Sequence, residues 1–175
     1  MATDLTALTA AIALSVRATA QKAIDLSTPE DALAKSKTIN LAFGTGAAKA
    51  NQIWSDRRTL GASASETIDL VGALSNAFGG TVSLAKIKAI IIHNRSDEQG
   101  TATDAAISVE PGANPPDNAF TIPLLPAGGI AVVACGDADG FLGTLAGGTK
   151  DEITITNLDD TDSAQYDIIV IGESA

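Results

Sequence analysis

Residues 78–92 read FGGTVSLAKIKAIII, and residues 166–171 read YDIIVI. Both runs are β-branched and of strand length, and the first is opened by a Gly-Gly turn signal. Within it, Val82 and Leu84 share one face at a period of two. Lys86 and Lys88 would continue that face, while Ile87 points the other way. A bend or bulge near Lys86 restores both faces. From Ala89 to Ile92 both faces are apolar, as in a central strand covered on each side.

Working outward, short apolar runs alternate with turn clusters. Ile39, Leu41 and Phe43 alternate ahead of Gly44-Thr45-Gly46. Gln52-Ile53-Trp54 is a short apolar piece ended by Ser55-Asp56-Arg57-Arg58, and Ile68 and Leu70 pair up further on. After the polar loop at 93–100, strands are expected around 105–109 and 119–124, separated by PGANPPDN. Pro123 marks the second as an edge strand or a strand end. Residues 130–135 (IAVVAC), 152–158 and 165–172 complete the series. The pattern predicts an all-β chain, an antiparallel, jelly-roll-like β-sandwich of about nine or ten short strands.

The first 36 residues are read as an N-terminal arm or first strand, and 37–175 as the sandwich domain. Leu5, Leu8, Ile12 and Val16 fit a helical spacing. Ile12, Leu14 and Val16 alternate with Ala13, Ser15 and Arg17, which is strand spacing. The β character of the rest favours a strand over about 11–19. Ser27-Thr28-Pro29-Glu30-Asp31 reads as a helix start, with room for one turn to about Lys35, or as an extended connection.

Composition narrows the function classes. The chain has 175 residues and a net charge of −10, with 11 basic and 21 acidic side chains. The basic residues are scattered, with Arg57–Arg58 and Lys86/Lys88 the densest groups. Nucleic-acid binding needs them clustered, so no nucleic-acid partner is expected. Nor does any apolar run reach the about 18 residues of a membrane span. The start, MATDLTALTAAIALSV, lacks the basic segment of a secretory signal. Aromatic residues are 3 % of the chain, so the core must come from Ile, Leu, Val and Ala. Small side chains bury little area each, which favours burying further surface against other copies.

Reactive groups are few. One Cys excludes an internal disulfide, and Cys135 lies in an apolar run, as a buried small hydrophobe would. His93 is the single imidazole, and no nucleophile elbow accompanies it. Residues 136–140 (GDADG) open like a calcium loop, but FLGTL follows and supplies no closing acid. Asp159, Asp160 and Asp162 fit a hairpin turn better than a weak cation site. Neither Gly44-Thr45-Gly46 nor the later GGTK completes a phosphate loop. No enzyme activity, cofactor or metal is expected. Trp54 fits a core or interface plug, or less simply a sugar-stacking surface group.

Four segments together resemble small virion proteins of tailed bacteriophages. They are GTGAAKANQIWSDRRTLGASASETIDL (44–70), FGGTVSLAKIKAIII, the Pro-Ala-Gly-Gly turn before an apolar strand, and YDIIVIG near the end. The resemblance spans about residues 37–173 and consists of turns and strands, with no chemical signature. It implies a capsid decoration or cement protein, made in the host cytoplasm and placed on the outer capsid surface. The partners it implies are the major capsid protein and further copies of the chain, as a homotrimer. A tail, collar or fibre component is the alternative within the same class, and a carbohydrate-binding surface module the alternative outside it. The expected interaction residues are Leu5, Leu8 and Ile12 in the arm, with Trp54, Arg57 and Arg58.

Overall fold

The computed structural model describes residues 5–98 and 103–174. The first four residues of the expected arm and residues 99–100 of the polar loop lie outside them. The described residues form thirteen strands: β1 (Ala10–Gln21), β2 (Glu30–Phe43), β3 (Lys49–Ala50), β4 (Gln52–Leu60), β5 (Ser65–Asp69), β6 (Val71–Ser75), β7 (Thr81–Ser83), β8 (Lys86–Asn94), β9 (Ile107–Pro111), β10 (Ile122–Leu125), β11 (Ile130–Ala134), β12 (Glu152–Asn157) and β13 (Ala164–Glu173). A single 3₁₀ turn, Ser96–Glu98, is the only helical element among the described residues.

Eight strands make two facing four-stranded sheets, ordered β11-β8-β13-β4 and β10-β9-β12-β5. Every pairing within them is antiparallel. Successive strands mostly switch sheets, and the last strand, β13, returns to lie between β4 and β8. That order is the jelly roll, two Greek keys wound together. The hairpin β6–β7 closes one end by adding Leu74 and Val82 to the core. Its turn is held by Asn76 Oδ1, which accepts from the amides of Phe78 and Gly80.

The interior follows from alternation. Ile153, Ile155, Ile107 and Val109 face Ile90, Ile92, Ile168 and Val170 from the opposite sheet, all essentially without solvent exposure. β8 and β13 pack one face on the opposite sheet and the other against the foot of β1 and β2, which is why 89–92 and 168–171 carry apolar residues on both faces. β10, with Pro123, is an edge strand.

The irregularity expected near Lys86 takes two forms. The chain leaves β7 at Ser83 and enters β8 at Lys86. The β8–β13 ladder then slips by one residue: Ala89 pairs with Ile171, but Ile87 pairs with Gly172. Lys88 is the extra residue, and Ile87 thereby reaches the inner face. Gly172 is required there, because a Cβ would meet the Lys86 carbonyl and the Leu84 side chain.

Three local expectations change. Residues 27–35 form no helix, since Glu30 begins a 14-residue strand whose partner, β1, is already in place. The strand around Trp54 does not end at Ser55 but continues to Leu60. Its polar part survives as a strand because β13 pairs with it throughout and Asp167 faces Arg57. Finally, residues 37–43, read as the start of the sandwich domain, belong to β2, which with β1 lies outside both four-stranded sheets.

Candidate functional site

β1 and β2 form an antiparallel ribbon in unbroken register from Ala10–Leu41 to Gln21–Glu30. Directly opposed residues share a face. One face therefore carries Ile12, Leu14, Val16 and Ala18 from β1 with Ile39, Lys37, Lys35 and Leu33 from β2. The other is small and polar, with Ser15, Arg17, Thr19, Ser36 and Thr38. The strand template thus prevails over the helical one for 10–21, because its alternation matches that of β2.

Only the root of this ribbon is packed. Leu41, Ala50, Ala89 and Ile171 form a second buried cluster, with Leu8, Ile12, Ile39 and Ile53 against it. Beyond it the apolar face runs into solvent: Leu14 is 62 % exposed, Val16 47 % and Leu33 49 %. Among the described residues, β1 pairs with β2 alone, and β2 otherwise pairs only with β3 through Ala42 and Phe43. Both edges of the outer ribbon are consequently open to another strand. Arg17, Lys35 and Lys37 are charges of the kind that keep such edges from pairing at random.

The tip is a tight turn. Ile24 and Ser27 exchange backbone hydrogen bonds at 2.9 and 3.2 Å around Asp25 and Leu26. Leu26 is 96 % exposed at its apex and Ile24 is 51 % exposed.

At the root, ribbon and sandwich enclose an apolar crease of about 620 Å³. Its walls include Ile12, Leu14 and Ile39 from the ribbon and Ile91, Val132 and Ile169 from the outer face of the β11-β8-β13-β4 sheet. Ile91 and Ile169 are opposed in register, as are Val132 and Ile91, so the sheet presents a continuous aliphatic row. Farther along that face the row becomes polar: Ile130, His93, Asp167 and Arg57 stand side by side. Arg57 Nε reaches Asp167 Oδ1 at 2.7 Å.

The charged groups picked out in the sequence are distributed differently. Arg58 lies on the inner side of β4, its guanidinium 5.5 Å from the Trp54 ring centroid. Arg58 Nη1 donates to Glu66 Oε2 at 2.7 Å, and the Tyr166 hydroxyl donates to Glu66 Oε1 at 2.6 Å. These three join β4 and β13 to β5 across the sandwich. Burial, then the bond and charge of Glu66, push the Tyr166 hydroxyl pKa well above its usual range. Trp54 is 4 % exposed within the main core. It is a core plug, and its ring offers no surface for stacking. Of the other arm residues, Leu8 and Ile12 pack at the root, and Leu5 is half-buried.

A second polar knot sits where the start of β8 meets the end of β13. Lys88 is fully buried, its Nζ donating to Asp137 O at 2.5 Å and to Ala138 O at 2.8 Å. Glu173 Oε1 is 3.5 Å away, and Glu173 Oε2 accepts from the Gly46 amide. The loop that opened like a calcium site thus turns its carbonyls toward an ammonium from the same chain. Sequence alone could not locate this, because Lys88 and Glu173 meet only through the bulge in the β8–β13 ladder.

His93 and Cys135 are not brought together. His93 pairs with Ile130, five positions along β11 from Cys135, or about 17 Å at about 3.3 Å per residue. Asp159, Asp162 and Asp104 place carboxylate oxygens within 4.8 Å of one another. Asp159 Oδ1 already accepts from the Thr161 amide and hydroxyl and the Asp162 amide, which lowers its pKa. Those bonds hold a turn, but not the expected hairpin: β12 and β13 belong to different sheets, so the turn carries the chain from one sheet to the other.

The chain matches no protein-family model, no curated protein and no solved structure.

Proposed function

We propose that this chain is a structural protein of a tailed-bacteriophage virion, seated on the outside of the capsid as a decoration or cement protein. It binds the major capsid protein and further copies of itself, as a homotrimer. Its work is done by buried surface and strand pairing, not by catalysis. The observation that carries the reading is the ribbon 10–43: a long strand pair with an apolar face, two open edges and an exposed leucine at its tip, projecting from a closed sandwich. An isolated globular protein gains nothing from holding such a ribbon in water. A shell component gains a clamp, and many identical weak clamps add up through avidity. The phage assignment itself rests on the sequence resemblance over residues 37–173.

Both polar knots serve as internal braces in this reading, since each joins separate strands or loops of the same molecule. The acidic body keeps the particle surface from adhering to DNA and other anions. A place in the tail, collar or fibre would use the same ribbon. Sugar binding loses its best residue with Trp54 in the core.

Particles stripped of the protein and then heated test the proposal. Heads should open at a lower temperature than intact ones and recover on adding back the full chain. Recovery should fail with a chain lacking residues 13–38. Unchanged head stability after stripping would rule out cementing, and a virion map with the protein off the icosahedral lattice would place it in the tail.

A further inference from the structure

We infer that the crease at the root of the ribbon is the receptor for the ribbon tip of a second copy of the chain. This deepens the self-assembly reading above, rests on it, and names the two surfaces that meet.

The two halves of the contact are on one chain but cannot meet within it. The tip offers Leu26, 96 % exposed, and Ile24, 51 % exposed, on a narrow turn. The crease offers an aliphatic wall of Ile12, Ile39, Ile91, Val132 and Ile169 around about 620 Å³. That volume lies within the about 300–1,000 Å³ range of ligand-binding pockets. The ladder between them runs from Ala10–Leu41 to Gln21–Glu30 without a register shift. Folding the tip back onto its own root would break those pairs, so the occupant must come from another molecule.

Reach and charge point to an identical molecule. From Leu14 to Leu26 the ribbon extends about 40 Å at about 3.3 Å per residue. A body of the size of residues 44–175 has a radius of gyration of roughly 14 Å, hence a diameter of roughly 36 Å. The arm therefore spans about one neighbour. Residues 10–43 carry four basic and three acidic side chains, whereas 44–175 carry seven and seventeen. The middle of the ribbon is wholly cationic, with Arg17, Lys35 and Lys37 and no acid between 13 and 20 or 32 and 38. Gly136 lies against Ile39 of the crease wall, and exposed Asp137 follows it. A basic ribbon laid over an acidic body next to an apolar socket is complementary in both respects. Tip and socket are different patches, so the contact is head-to-tail and closes into a ring if the rotation per copy allows.

Cross-linking tests the contact in the full chain carrying Cys135→Ser, which leaves no native thiol. Leu26→Cys protein is mixed with Val132→Cys protein under mild oxidation. A control uses Thr67→Cys, exposed on the outer side of the other sheet. The expected result is a mixed disulfide through Leu26→Cys and Val132→Cys at least tenfold above the control. In parallel, Leu26→Ser should weaken self-association at least tenfold by light scattering, with unchanged melting, while Leu26→Met retains it. Equal cross-linking to both sites, with oligomers that survive Leu26→Ser, overturns the tip-to-crease contact and leaves self-assembly standing. A protein that stays monomeric at every concentration overturns both.

Discussion

The Tyr166 hydroxyl donates to Glu66 Oε1 over 2.6 Å and so ties β13 of one sheet to β5 of the other. Arg58 holds the second oxygen of the same carboxylate. Glu66 is therefore the member whose loss strands the other two. A neutral hydrogen bond is worth about 1 kcal/mol and one to a charged group about 1.5–3 kcal/mol. Tyr166→Phe should cost about 2 kcal/mol in denaturant unfolding, and Glu66→Ala should cost more. A Glu66→Ala cost no larger than that of Tyr166→Phe would mean that the Arg58 bond adds nothing to the brace.

The same pair sets the alkaline limit. The folded state raises the Tyr166 pKa above its ordinary value of 10.0. A raised pKa means stability is fully present below the unfolded value and is lost as pH climbs past it. Stability should therefore fall above about pH 10, a slope that Tyr166→Phe should flatten. Tyr166 is the one tyrosine in the chain. Its tyrosinate absorbance should appear only together with unfolding, and an ordinary titration in the folded protein would sink the assignment.

Lys88 and Glu173 offer a test of buried charge. Removing one member of a buried pair leaves the other uncompensated, typically at about 3–5 kcal/mol. Lys88→Ala should lie in that range, because the Asp137 and Ala138 carbonyls lose their donor as well. Lys88→Met combined with Glu173→Gln should cost less than the sum of the two single changes. Strict additivity in that double-mutant cycle would mean the two groups do not interact.

Core and ribbon should separate cleanly. Ile155 and Ile168 have no exposure, and truncating either to Ala should cost about 2–5 kcal/mol. Val16→Ala and Leu33→Ala remove exposed side chains and should alter unfolding by no more than about 0.5 kcal/mol. Losses of more than about 1 kcal/mol at the ribbon positions would mean that its apolar face is packed within the monomer.

In acid, the Asp159 carboxylate is held below its ordinary pKa of 3.8 by the Asp162 and Thr161 amides and the Thr161 hydroxyl. The contribution of a depressed carboxylate is present above the unfolded value and disappears as pH falls through the folded one. Asp159→Asn should therefore make unfolding less sensitive to pH below about 4, as read by melting temperature in a pH series.

Much of the sandwich was legible because its signals are local. Ile153 and Ile155 alternate with threonines, and both are buried in β12. Pro123 announced an edge, and the turns at 126–129 and 158–163 fall between strands as read. The misread stretches are those whose structure depends on a distant partner. Ser55–Arg58 look like a turn until Asp167, some 110 residues on, pairs with Arg57. Ser27–Asp31 have the chemistry of a helix start, yet β1 draws the following residues into a strand. Trp54, by contrast, reads more simply as a plug than as a sugar platform, and the facing sheet makes it a core plug.

Alternation of small and β-branched residues, broken by Gly, Pro, Asn and Asp, was enough by itself to make this chain an antiparallel β protein, because side-chain period and turn chemistry are properties of neighbouring residues. Which strands adjoin, that Lys88 and Glu173 share one buried knot, and that the ribbon 10–43 projects beyond a packed root with Leu26 at its tip were decided by tertiary structure alone. Those features arise from pairings between residues far apart in the chain, and burial is a property of the assembled sheets that no single segment carries.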